Sequence, residues 1–193
     1  MCHVPRLILA SASPRRRELL AQLGVAFEIV TAAVTEHEAP DADPRHMVLH
    51  NAALKADWVS ARHPEDFVLG ADTTVCIDNH VLNKPADLAE ARAMLWRLSG
   101  RTHSVFTGLA VRRGVDGLRI DEIVESRVTF RELDEPTISR YLERVHTLDK
   151  AGGYAIQEHG ELIVASYSGS LTNIVGLPVE ETRTLLTRAG LMR

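Results

Sequence analysis

A mixed α/β fold, with helices flanking a central sheet of parallel and antiparallel strands, is predicted by three features of the sequence. Strand-like and helix-like periodicities alternate along the chain. The helical stretches are punctuated by Ser, Asp, Pro and Gly at positions suited to starts and stops. Residues 104–130 read as two strands joined by the short polar segment Gly114-Val115-Asp116-Gly117, an antiparallel hairpin that an all-parallel sheet cannot contain. No composition break divides the 193 residues, so a single domain over 1–193 is expected, with the hairpin region as a lobe bordering a cleft.

The elements follow in order. Leu7-Ile8-Leu9-Ala10 reads as a strand that hands over to a helix opened by Ser13 and Pro14, with Leu19, Leu20 and Leu23 facing inward and Gly24 as its stop. Val25 to Ala33 reads as a second strand, and Pro40 to Pro44 as an acidic turn. On a helix from Arg45 to about Ala61, Val48, Ala52, Lys55 and Val59 share one stripe, so Lys55 interrupts an apolar face. Phe67 to Ile77 is a long strand ending in a turn at Asp78-Asn79-His80. A helix capped by Asp87 ends at Ser99-Gly100, and another opens at Asp134-Glu135-Pro136. Glu161 to Ser166 is expected as the last strand, and Pro178 to Gly190 as the closing helix.

Bulk composition narrows the function classes. A formal charge of −4 lacks the broad basic excess of a protein gripping long nucleic acid. No apolar run approaches the ~20 residues of a membrane span, and the N-terminal run is too short for a signal peptide. Cys2 and Cys76 lie far apart without a CxxC, which argues against a cysteine zinc site and a disulfide framework. A cytoplasmic protein, with no nucleic-acid or membrane partner, is expected.

Several residues carry chemistry. Arg15, Arg16 and Arg17 fall in the first turn of a helix, where the dipole and free N–H groups already present positive charge; they are either solvated or matched to a bound anion such as a polyphosphate. Asp72 interrupts the β-forming run Phe67–Val75, and alternation puts it on the face of Gly70 and Thr74, where the glycine leaves room for a ligand or a second backbone. Such a carboxylate could accept a proton from water or hold a divalent cation. Lys55 and Lys84 supply mobile cations, Lys84 being restrained by Pro85; Glu36 follows a strand end. Gly152-Gly153 precedes Gln157, whose amide can both donate to and accept from a base edge. Neither GxxxxGK[ST] nor GxGxxG occurs.

Seven segments in order, LILASASPRRRELL, AALKAD, VLGADTTV, LNKPAD, LSGRTHSVFTG, DKAGGYAIQ and SGSLTNIVGLPVEET, resemble the Maf family of nucleoside triphosphate pyrophosphatases over essentially the whole chain. The resemblance implies a mixed sheet flanked by helices with a cleft, a shape shared with pyrophosphatases of deaminated purines, and hydrolysis between the α and β phosphates with a divalent metal, Mg²⁺ or Mn²⁺. It implies Asp72 as proton acceptor; Arg15, Thr73 and Gln157 at positions tied to substrate choice; and Ser13, Arg16, Glu36, Lys55 and Lys84 in the substrate and metal pocket. Within the family, AGGYAIQ and SGSLTNIVGLP are more similar to the branch acting on dTTP and UTP than to the branch acting on 7-methyl-GTP. Thr35 stands where that pattern usually has Asp, Glu158-His159 where a Gly is usual, and Leu171-Thr172 where Tyr-Ser is usual. Dimers are common in the family. A nucleotide-binding regulator of septum formation, cleaving nothing, is the alternative from another class.

Overall fold

The structure, a computed structural model, describes residues 5–192; Cys2 of the cysteine argument lies outside the described residues. Seven strands form one sheet in the order β2-β1-β3-β5-β6-β7, with β4 pairing β3. They are β1 (Leu7–Leu9), β2 (Phe27–Ile29), β3 (Phe67–Ile77), β4 (His80–Leu82), β5 (Thr102–Arg113), β6 (Leu118–Phe130) and β7 (Val164–Ser168). Strand β1 runs parallel to β2 and β3, and every other pairing is antiparallel. The sheet is therefore mixed, as expected, and the β5–β6 hairpin forms the far half of it.

Among the described residues six α-helices flank the sheet: α1 (Pro14–Ala21), α2 (Pro44–Ser60), α3 (Leu88–Leu98), α4 (Glu135–Arg144), α5 (Leu171–Val175) and α6 (Val179–Arg188). Helix α2 packs on one face of the sheet, where Ala52, Ala56 and Val59 meet Ile8, Val68 and Ala110. The opposite face is shared. Leu19 and Leu20 of α1 and Leu185 and Leu186 of α6 cover Leu7, Leu9, Leu69 and Leu109, while Leu95 and Leu98 of α3 and Ile138 and Tyr141 of α4 cover Val75, Val105, Val128 and Phe130. With both faces of β3 covered, its residues are buried almost without interruption.

Two features of β3 create the site. Its edge toward β1 changes partner part-way: Phe67, Val68 and Leu69 pair with β1, Val75, Cys76 and Ile77 pair with β4, and Gly70 to Thr74 have no strand partner on that edge among the described residues. The other edge is paired with β5 from Val68 to Cys76. The second feature is a pair of glycines on neighbouring strands, Gly70 on β3 and, opposite Asp72, Gly108 on β5, against which the α2 backbone lies so closely that a β-carbon on either would run into the Ala52 or Val48 carbonyl oxygen.

Some expected boundaries moved. Strand β2 stops at Ile29, because it borders only the three-residue β1; the chain then leaves the sheet to line the cleft with Thr31 and Ala32. Asp78 and Asn79, both at positive φ, make the expected tight turn, which returns the chain as β4 from His80. Glu161 falls in a short 3-10 turn, Gly160–Leu162, entered through left-handed His159, so the last strand runs from Val164 to Ser168. Ser170 caps the short helix α5. No helix among the described residues is long and apolar enough to cross a membrane.

Candidate active site

A cavity of about 360 Å³ opens beside the unpaired stretch of β3. It is lined by Ser13, Arg15, Arg16, Glu36, Lys55, Asp72, Thr73, Lys84 and Gln157, so the structure brings together the candidate site residues expected from the sequence, while Arg17 stays outside. Arg17 is exposed on the outer side of the first turn of α1 and does not line the cavity. Because the sheet edge is open here, Asp72 reaches the cavity from the α2 face and Thr73 from the opposite one.

Helix α1 begins as its sequence demands. Ser13 caps it, its Oγ accepting from Arg16 N at 3.4 Å, and Pro14 takes the first helical position. Arg16 is held on three sides: Nε donates to Gly176 O at 2.9 Å, Nη1 to Ser11 Oγ at 3.3 Å and Nη2 to Thr73 Oγ1 at 3.1 Å. Burial lowers its pKa, opposed by the nearby charges of Asp72 and Glu36. Arg15 spans the cavity mouth to Asp149, Nη1 donating to Oδ2 at 2.7 Å and Nη2 to the carbonyl oxygen at 3.2 Å.

Helix α2 grips the central acid with two residues one turn apart. Lys55 Nζ donates to Asp72 Oδ1 at 2.9 Å and to Glu36 Oε2 at 2.6 Å, so one ammonium bridges both carboxylates. Asn51 Nδ2 donates to Asp72 Oδ2 at 3.1 Å, and the same amide exchanges hydrogen bonds with the backbone N–H and C=O of His37, which fixes the loop that carries Glu36. Burial alone raises the Asp72 pKa; the charges of Lys55 and Arg16 and the hydrogen bonds from Lys55 and Asn51 outweigh it, and the carboxyl lies below its ordinary value. The acid is therefore ionised and pre-oriented at neutral pH.

Besides the charged groups just described, the cavity is lined by Val75, Val105, Tyr154, Ala155 and Ile174, which pack as part of one apolar cluster, and by the polar Gln157. Charged groups together with an apolar cluster suit a ligand built of a polyanion joined to a flat ring.

Comparison with known proteins gives the family. A family model described as "Maf-like protein" matches residues 6–189. The chain belongs to the Maf family. It is 46% identical over 187 residues to the dTTP/UTP pyrophosphatase of Akkermansia muciniphila, with 97% of this chain and 98% of that protein covered. It is 50% identical to the dTTP/UTP pyrophosphatase of Myxococcus xanthus, covering 96% and 93%, and 42% identical to that of Clostridioides difficile, covering 94% of each.

Sequence reasoning missed parts of this Maf cavity. Asn51 sits one turn before Lys55 on the stripe already recognised, so its i, i+4 spacing was the available signal. Asp149, Lys150 and Gly176 lie in the resembling segments DKAGGYAIQ and SGSLTNIVGLPVEET, but nothing in their spacing pointed to a role, because those roles depend on a turn and a short helix folding back over β3. Among the described residues no group of three His, Cys, Asp or Glu side chains is arranged to hold a metal ion.

Proposed function

We propose that this Maf protein is a nucleoside triphosphate pyrophosphatase acting on dTTP and UTP, which hydrolyses the bond between the α and β phosphates to give the monophosphate and pyrophosphate. The names of the relatives support the substrate. The single observation that carries the reading is the Lys55-bridged pair Asp72 and Glu36 facing the arginine-bearing start of α1 across one cavity. Residues 1–193 act as one catalytic unit in this reading.

The chain's own groups perform most of the work by position and charge. Arg15, Arg16, Lys55 and Lys84 bind and neutralise the triphosphate, and the N–H groups at the start of α1 donate hydrogen bonds to its oxygens. Asp72, ionised and held at both oxygens, takes the proton of the attacking water as that water's oxygen bonds to phosphorus and the bond to pyrophosphate breaks. Thr73 and Gln157 contact the nucleoside, Gln157 with a donor and an acceptor for the edge of a base.

Glu36 and Asp72, oxygen donors brought together on the Lys55 ammonium, would hold a divalent cation of the Mg²⁺ or Mn²⁺ kind, which takes carboxylate oxygens. Such a cation supplies positive charge to the phosphate oxygens.

Pyrophosphate release from dTTP, UTP, CTP and 7-methyl-GTP, with Mg²⁺ or Mn²⁺, tests the reading. dTTP and UTP should lead, and Asp72→Asn should abolish turnover while the protein stays folded. Nucleotide binding without pyrophosphate release would favour a regulator, and preference for the methylated purine would overturn the substrate.

A further inference from the structure

Lys150 carries a buried ammonium that the roles above leave unused. It is 6% exposed and lines the cavity. Its Nζ donates to His146 O at 2.5 Å and to Asp149 Oδ1 at 2.9 Å, and lies 3.5 Å from Glu158 Oε1. Each carboxylate leads to a residue of the cavity. Asp149 turns its second oxygen to Arg15 Nη1 at 2.7 Å, and Glu158 directly follows Gln157.

The backbone between these two carboxylates has little stiffness of its own. It runs through Gly152 and Gly153, both at positive φ, and is anchored by Gly152 N donating to Asn83 O at 3.1 Å, next to Lys84, and by Tyr141 Oη, which bonds both N and O of Ala155. A desolvated cation in contact with both ends of the segment therefore fixes how far Asp149 stands from Glu158. Removing it would leave two carboxylates without their shared counter-charge.

We propose that Lys150 is a positioning residue for substrate choice: by holding Asp149 and Glu158 together it sets the span between the Arg15 guanidinium and the Gln157 amide, and so the size of base the cavity admits beside a triphosphate. The inference rests on the nucleotide reading given above and names the residue that sets its selectivity. A pyrimidine-sized ring is favoured while the span is fixed; a larger purine gains when it relaxes.

The test is steady-state kinetics of the full chain, wild type, Lys150→Met and Lys150→Arg, with dTTP and with GTP. In Lys150→Met, kcat/KM for dTTP should fall chiefly through KM, and the dTTP-to-GTP ratio of kcat/KM should drop by about tenfold or more. Lys150→Arg, which keeps a cation, should recover most of that ratio. A packing role alone would lower both nucleotides by one factor and leave the ratio unchanged, which would overturn the proposal. Should Lys150→Met fail to fold by circular dichroism, Asp149→Asn serves instead; its side chain is 44% exposed, and it must move the ratio in the same direction or the proposal falls. A wild-type protein that releases no pyrophosphate from dTTP or UTP would instead sink the functional reading.

Discussion

The carbonyl oxygen of Ala52 occupies the space that a β-carbon on residue 70 would need. Gly70 therefore lets α2 lie against the sheet closely enough for Asn51 and Lys55 to reach the two oxygens of Asp72. Gly70→Ala must push backbone away from backbone, since nothing flexible can give. Stability should fall by about 1–3 kcal/mol, the usual scale of overpacking, and activity should fall further than stability explains. Melting curves and pyrophosphate release on the same sample check this.

Lys55 is the closest cation to a carboxylate that is only 8% exposed. In Lys55→Met the effect of burial on Asp72 loses its main opponent, so the Asp72 pKa rises. Because the native group lies below its ordinary value, the wild-type acid limb of kcat/KM sits at low pH; in the variant that limb should move to higher pH, and kcat at neutral pH should fall by roughly a hundredfold or more. A pH–rate profile of both proteins decides it.

Asn51 spends its amide on His37 and Asp72 together, so the two substitutions Asn51→Leu and Asn51→Asp separate its parts. Leucine removes every contact. Aspartate can still accept from His37 N but places a second carboxylate against Asp72 Oδ2. Both should lower kcat by about tenfold or more with KM little changed, and aspartate should be the worse of the two.

His103 is buried beside Phe130 and Tyr154, with Nε2 2.7 Å from Tyr154 Oη, and burial lowers its pKa to about 4. In the unfolded chain an ordinary imidazole takes up its proton near 6.5. Between these values the unfolded state binds more protons, so stability falls as pH is lowered from about 6.5 to about 4, by roughly 3 kcal/mol if no other group intervenes. His103→Gln removes the titration, and denaturant midpoints measured across that window should flatten.

Much of this was legible in the residues. Ser13 and Pro14 set the start of α1, and the Val48, Ala52, Lys55 stripe oriented α2, because capping and periodicity are local. The isolated acid in a β-forming run located the centre of the cavity for the same reason. The room beside Gly70 had two readings, ligand or backbone, and the structure fills it with the α2 backbone. What stayed hidden depends on contacts distant in sequence: Arg15 meets Asp149 across 134 residues and Arg16 meets Gly176 across 160, and no spacing rule reaches that far. Arg17 looked equivalent to its neighbours, but helical geometry turns the third arginine outward.

The change of partner along β3 divides labour within the molecule. Strand β3 is secured by β5 from Val68 to Cys76, on both sides of Asp72, so the segments framing the notch, from Ala10 to Arg16, from Thr31 to Glu36, around Lys84 and from Asp149 to Gln157, contribute little to keeping the Asp72 backbone in place. Outside the phosphate- and cation-binding Arg15, Arg16, Glu36 and Lys84, their positions can be rewritten piecemeal while the frame and its acid endure. New nucleotide preferences are thus accessible to this architecture by editing the rim alone.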